Sequence, residues 1–296
     1  MAPTQTKLAP GQYEWHPENS PKGPVLMVVS LDDQMGYVYR NGVQIGRSTV
    51  STGKPGHDTP TGVFTILQRE KEHYSSLYNS APMPNMQRLT WGGIAMHAGY
   101  LPGYPASHGC IRLPRGFSEK LYDTLHKGAT VVITKKNARP SKTSKPASIL
   151  LASKGPASER AIPDPDGKVV WNPHRSPSGP LSVLLSYADQ TIYIWRNGIL
   201  IGQSPIAIRP GAQPPEGVFM MLASKEPDGK NAWSVLSLNG GSSYGNAVAT
   251  MRANIRVPDE FSRKVKSHLK PGTILVSTRE SSNKSTRSSR NFKIIN

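Results

Sequence analysis

Residues 23–48 read GPVLMVVSLDDQMGYVYRNGVQIGRS and residues 179–204 read GPLSVLLSYADQTIYIWRNGILIGQS. Twelve of these 26 positions are identical, and most of the rest exchange one apolar residue for another. The correspondence resumes at TGVF (61–64) against EGVF (216–219). It resumes again at IRLPRGFSEKLYDTLHKGATVVIT (111–134) against IRVPDEFSRKVKSHLKPGTILVST (255–278). Three blocks in the same order imply two copies of one folding unit. The 296 residues leave room for two such units, each able to bury a core.

Each copy opens with a hairpin signal. Asn41-Gly42 and Asn197-Gly198 lie between runs of β-favouring residues, and Asn-Gly tolerates the positive φ of a tight two-residue turn. Late in copy one, Phe117, Leu121, Tyr122 and Leu125 recur at helical spacing, with Gly128 as a C-terminal stop; ATVVIT then reads as a buried strand. The 27 prolines and 27 glycines suit turn-rich β structure. The expected fold class is therefore mainly β with a short helix, present as two tandem copies. The expected boundaries are an N-terminal arm at 1–22, a first domain at 23–137, a linker at 138–178, a second domain at 179–278 and a basic tail at 279–296. The linker is rich in Pro, Ser and Lys, and residues 135–178 hold nine basic and three acidic residues. The tail, with five basic residues and one acidic, is expected to be at least partly disordered.

The single cysteine, Cys110, sits in PASHGCIRLP, two residues after His108 and thirteen after His97. A free thiol is only a few per cent thiolate at neutral pH, and a nearby imidazole can take its proton and return it to a leaving amine. His97 lies in GGIAMHAG, an apolar run that reads as a strand ending at Gly99. The loop YLPGYPA would fold the chain back and bring this strand beside the one carrying Cys110. On a strand, His108 and Cys110 would share a face. The glycine at 109 would let the amides of Gly109 and Cys110 face a developing oxyanion. Three readings stay open on the residues alone. Cys110 is a nucleophile, or His97, His108 and Cys110 form a metal site, or the cysteine is inert and buried.

HAGYLPGYPASHGCIRLP closely resembles the signature of the L,D-transpeptidase catalytic domain of bacterial cell-wall enzymes: a histidine, a loop, then Ser/Thr-His-Gly-Cys, an apolar residue, and Asn or Arg. The resemblance extends over roughly 23–135 and takes in GKPGHDTPTGVF. It implies a β-sandwich with a small helical element, and acyl transfer on peptidoglycan stem peptides without a cofactor. Position by position, it implies Cys110 as nucleophile, His97 as general base and His108 as a second histidine that shapes the site. Gly109 and Cys110 would form the oxyanion hole. Ser107 would orient its neighbours, and Arg112, where some relatives have Asn, would hold a substrate carboxylate or brace the loop. The loop from His97 to Cys110 is shorter than in many relatives. Its Tyr100 and Tyr104 would contact substrate or pack on their own domain. His57 reads as structural or surface, and HYSSLYNSAPMPNMQRLTW (73–91) as an insertion that caps the cleft or covers a sheet edge.

In copy two, Asn254 stands where Cys110 does, Ala253 for Gly109, Arg252 for His108 and Met251 for Ser107; the counterpart of His97 falls near Asn239. Copy two is thus expected to be a degenerate domain without the chemistry, its partner unknown. The excess of Lys and Arg (36) over Asp and Glu (19), a net charge of +17, favours anionic partners, here an anionic cell-wall polymer beside the peptidoglycan stem peptides. No nucleic-acid module is recognisable. No apolar run approaches the ~20 residues of a membrane span, and MAPTQTKLAP does not read as a signal peptide, which on its own would suit a cytoplasmic protein or a trimmed, mature form. Residence in the periplasm or cell wall is expected from the substrate alone. The expected activity is an L,D-transpeptidase working through a Cys110 thioester and releasing D-alanine. The alternatives are a hydrolytic relative (L,D-carboxypeptidase, endopeptidase or wall-protein amidase) and a non-catalytic wall-binding module.

Overall fold

The computed structural model describes residues 7–76, 79–135, 162, 165–179, 181–225, 229, 231–237 and 247–282. Most of the expected linker, the tail from 283 and Asn239 lie outside the described residues, as does the side chain of Arg252.

The first half begins with strand β1 (Tyr13–Trp15), then β2 (Val25–Ser30), β3 (Met35–Arg40), β4 (Val43–Thr49) and β5 (Gly62–Thr65). A second group follows: β6 (Gln68–Glu70), β7 (Met86–Arg88), β8 (Ala95–Ala98) and β9 (Ile111–Leu113). Helix α1 (Arg115–Thr124) and β10 (Thr130–Thr134) close this half. The larger sheet has the order β1-β4-β3-β2-β10-β5, with β2 and β10 parallel; the smaller has the order β6-β7-β8-β9, with β8 and β9 parallel. A β-ladder supplies one face per alternate residue. Met27, Val29, Val38, Phe64, Val131 and Ile133 of the large sheet therefore meet Met96, Ile111 and Leu113 of the small one, with Phe117 and Leu121 of α1 completing the core. The expected hairpin is present, with Asn41 at φ 48° and Gly42 at φ 80°.

Part of the expected N-terminal arm joins the fold. Residues Tyr13–Trp15 add an edge strand to the large sheet, and Trp15 packs edge-on against Phe117 at 5.7 Å. The second half repeats this at the end of the expected linker: β11 (Val170–Trp171) is an edge strand, and Trp171 meets Phe261 at 5.7 Å. A side chain at Gly46 or Gly202 would come within 2.5 Å of the ring of Trp15 or Trp171, so each indole lies flat on a bare stretch of sheet. Both edge strands lie before the expected domain starts at 23 and 179. The sequence signal was thin: EWHPENSP against VWNPHRSP shares only Trp, Pro, Ser and Pro.

The second half continues with β12 (Leu181–Ser186), β13 (Thr191–Arg196), β14 (Ile199–Pro205), β15 (Ala207–Ile208), β16 (Gly217–Lys225) and β17 (Asn231–Ser237). Then come α2 (Ala247–Asn254), β18 (Ile255–Arg256), α3 (Asp259–Lys266) and β19 (Ile274–Thr278). Its sheet order, β11-β14-β13-β12-β19-β16-β17, reproduces that of the first half with β17 added at the edge, again with one parallel pair, β12 and β19. The small sheet has no full counterpart among the described residues; β15 and β18 pair alone. Where copy one turns through Ser107–Cys110, copy two runs in α2, with Met251 in the core and Asn254 as its last residue. Asn254 Nδ2 donates to the Thr250 carbonyl at 2.8 Å. The aligned position is thus helical in the second half, a difference that reaches further than one side chain.

The two large sheets pack back to back. Leu26, Val28, Tyr39, Val63 and Val132 of the first form one buried cluster with Leu184, Trp195, Val218, Met220, Ile274 and Val276 of the second. Thr130 and Ser182 share a hydroxyl hydrogen bond across the seam (2.9 Å), and Asn41 Oδ1 accepts the Ala223 N–H (2.9 Å). Strands β2 and β12 are therefore covered on both faces, which accounts for their unbroken apolar runs. Among the described residues no helix is long and apolar enough to cross a membrane.

Candidate active site

The smaller sheet of the first half builds the site. The parallel register of β8 and β9 sets His97 opposite Arg112 and Met96 opposite Ile111. Alternation along each strand sends Met96 and Ile111 into the core, so His97 and Arg112 face the other way, toward a cavity of about 670 Å³. Cys110 enters this face one residue before β9. The cavity is lined by His97, Ser107, His108, Cys110 and Arg112 together with Tyr100. Its far wall is Ser75 and Ala81–Pro84 from the 73–91 insertion, which therefore borders the cleft. That insertion also contributes β7 to the small sheet, so it joins the sheet as well as bordering the cleft.

His97 is buried, and its Nδ1 lies 2.8 Å from the Ala98 carbonyl oxygen. A carbonyl only accepts, so Nδ1 carries the proton and Nε2 keeps its lone pair. Burial pushes the His97 imidazole down to about pKa 4 against the weaker opposing effect of the Ala98 hydrogen bond; the nearby Arg112 guanidinium acts in the same downward direction. Cys110 is half-buried beside Met83, Met86 and Ala95. Burial raises its thiol above the ordinary range, and Sγ–H donates to the Gly93 carbonyl at 3.4 Å. Both shifts favour the neutral forms, thiol and imidazole. A base with a fixed tautomer and a thiol therefore open onto one cavity.

The segment before Cys110 is a turn, not the strand the i, i+2 reading assumed. Gly109 sits at φ +102°, and a Cβ there would lie 2.7 Å from Ile94 Cδ1. The positive φ favours glycine, and a side chain there would also have to displace the end of Ile94. Ser107 binds the turn from within: its Oγ accepts the Gly109 N–H (3.1 Å) and donates to the Cys110 carbonyl. The Gly109 amide, expected in an oxyanion hole, is thus engaged by Ser107, and the Cys110 amide is the one left for that role. Arg112 exchanges backbone hydrogen bonds with Ser51 (2.9 and 3.1 Å) while its side chain lines the cavity.

Tyr100, largely exposed, stands at the cavity wall. Tyr104 is also exposed but is not among the lining residues; its carbonyl is held by the Ser51 hydroxyl at 2.8 Å. His108 is half-buried, its pKa lowered chiefly by burial and then by Lys54, His57 and Arg112. The rings of His57 and His108 meet edge to face at 4.7 Å, so His57, read as structural or surface, stands against the site. The segment 53–59 folds onto the Ser107–Cys110 turn. Its trace in the sequence was the stretch GKPGHDTPTGVF, which the family resemblance takes in. Among the described residues, no group of three His, Cys, Asp or Glu side chains is placed to hold a metal ion.

Residues 24–133 match the family model of YkuD, the L,D-transpeptidase catalytic domain. Solved structures similar to this chain include an L,D-transpeptidase from Stackebrandtia nassauensis, at 31% identity over 38% of this chain and 56% of that one, with a TM-score of 0.35. L,D-transpeptidases from Mycobacterium smegmatis and Mycobacterium tuberculosis H37Rv follow at 26% identity. They cover 38% of this chain, with 59% and 58% of theirs and TM-scores of 0.35 and 0.37. The chain thus spans a little over half the length of these structures. No curated protein matches.

Proposed function

We propose that the first half is a cysteine acyltransferase that forms peptidoglycan crosslinks, and that it works outside the cytoplasmic membrane. The observation that carries this is that the Cys110 thiol and a His97 imidazole whose Nδ1 is turned to the Ala98 carbonyl line one cavity. The family match over 24–133 supports the same chemistry.

The steps follow from the groups present. Cys110 Sγ attacks the carbonyl carbon of the third residue of a tetrapeptide stem as the thiol proton passes to His97 Nε2. The Cys110 N–H faces the oxyanion of the tetrahedral intermediate. Collapse breaks the bond to the terminal D-alanine, whose amine takes the proton from His97 as it leaves. The remaining thioester is attacked by the side-chain amine of an acceptor stem, which gives its proton to His97. The new amide forms as the thiolate leaves and recovers that proton. Arg112 and Tyr100 would contact the stem from the cavity wall. The second half, lacking the turn, serves in this account as a buttress, and the net charge of +17 holds the protein against anionic wall polymer.

Product analysis separates this reading from its alternatives. Disaccharide-tetrapeptide incubated with the protein should give crosslinked dimers lacking one D-alanine. Tripeptide without dimers would mean that water resolves the thioester and the enzyme is a hydrolase. Unchanged tetrapeptide would contradict acyl transfer on this donor and favour a wall-binding module.

A further inference from the structure

One buried side chain outside the Ser-His-Gly-Cys signature touches the catalytic turn. Thr59 is almost fully buried, and its Oγ1 lies between two backbone groups. It accepts the Gly53 N–H at 2.8 Å and donates to the Gly109 carbonyl at 2.9 Å. Its hydroxyl proton is thereby committed to Gly109. The Gly109 carbonyl and the Cys110 N–H belong to one planar peptide unit, and in a trans peptide they point in opposite directions. Fixing the carbonyl toward Thr59 fixes the Cys110 N–H away from it.

We propose that Thr59 is a positioning residue for acyl transfer, one that aims the Cys110 amide at the developing oxyanion by clamping the other end of its peptide plane. This rests on the nucleophile reading above and adds a residue to it. Two further facts agree. With the Gly109 amide taken by Ser107, the Cys110 amide is the donor whose direction matters, and Gly109, with positive φ and no side chain, does little to hold that plane unaided. In the half that has lost the turn, Pro214 stands in register with Thr59, since Pro60 aligns with Pro215. A hydroxyl at this position is therefore not needed to build the large sheet, which both halves share.

The test compares two reactions of the same sulfur in Thr59→Val and Thr59→Ser proteins. Acylation by a carbapenem passes through an oxyanion; alkylation by iodoacetamide does not. Thr59→Val should lower the maximal acylation rate about 10- to 100-fold, with the half-saturating carbapenem concentration and the alkylation rate within about twofold of the parent protein. Thr59→Ser, which keeps the hydroxyl, should restore most of the rate. Unchanged acylation in Thr59→Val would overturn the proposal. Equal slowing of both reactions would also overturn it, because that reports general damage to the turn. A parent protein that takes iodoacetamide but no acyl group would overturn the nucleophile reading itself, and the positioning role with it.

Discussion

Replacing His97 by Gln is expected to slow acyl transfer by roughly 10²- to 10⁴-fold, the usual contribution of a positioned general base, while the fold survives. Gln can still donate to the Ala98 carbonyl that now receives Nδ1–H, so the loss isolates the base. The pH profile carries a second signature. With His97 held at about pKa 4 by burial, and the Cys110 thiol raised for the same reason, the neutral pair persists across the ordinary working range. The acid limb of kcat/KM should therefore fall near pH 4, well below the ~6.5 of an ordinary imidazole. Alkylation of the free enzyme should keep rising above pH 9. An acid limb near 6.5, or fast alkylation at neutral pH, would indicate a thiolate–imidazolium pair and contradict this account. His97 is also linked to stability. The folded imidazole takes its proton only near pH 4, whereas the unfolded one does so near 6.5. Stability should fall as pH drops from about 6.5 toward 4, and His97→Gln should remove that part of the acid sensitivity.

The second large effect is expected far from the chemistry. Val218 of β16 is fully buried in the seam between the two large sheets, in the half that has no nucleophile. Val218→Asp places an unpaired carboxylate there, at a cost of about 3–5 kcal/mol. For a protein this size, that corresponds to a drop of roughly 10 °C in melting midpoint. Because Val63, Val132 and Leu26 of the catalytic half share the same cluster, acyl-transfer activity should be lost over the same temperature range as the fold. A catalytic half that keeps its melting midpoint and activity while the second half unfolds would show that the halves are independent, and that the second is no buttress.

Much of this organisation could be read directly. The repeated blocks specify two sheets of one strand order, the Asn-Gly pairs mark their hairpins, and the spacing of Phe117, Leu121 and Leu125 marks the helix. That His97 and Cys110 line one cavity was legible because an apolar strand carries one and a Ser-His-Gly turn the other. What was missed depends on contacts between segments distant in sequence. Trp15 and Trp171 look like parts of loose connectors until each is seen lying on the bare surface of Gly46 or Gly202. Thr59 and His57 gain their meaning only when residues 53–59 fold against the turn. The back-to-back seam did leave a trace. VLMVV and LSVLL are too continuously apolar for strands with one wet face, but the same pattern also suits any buried strand. In copy two, the substitution of Asn254 for Cys110 suggested a changed side chain in a retained turn. The structure has helix α2 there, with Met251 buried in the core.

The central claim is that Cys110 accepts an acyl group with His97 as its base. The most direct measurement is the intact mass of the protein, quenched in acid shortly after mixing with disaccharide-tetrapeptide. The account predicts an adduct of the donor less D-alanine, carried on the peptide containing Cys110, released by hydroxylamine and absent in Cys110→Ala. D-alanine release with no such adduct, or turnover that survives Cys110→Ala, would contradict it.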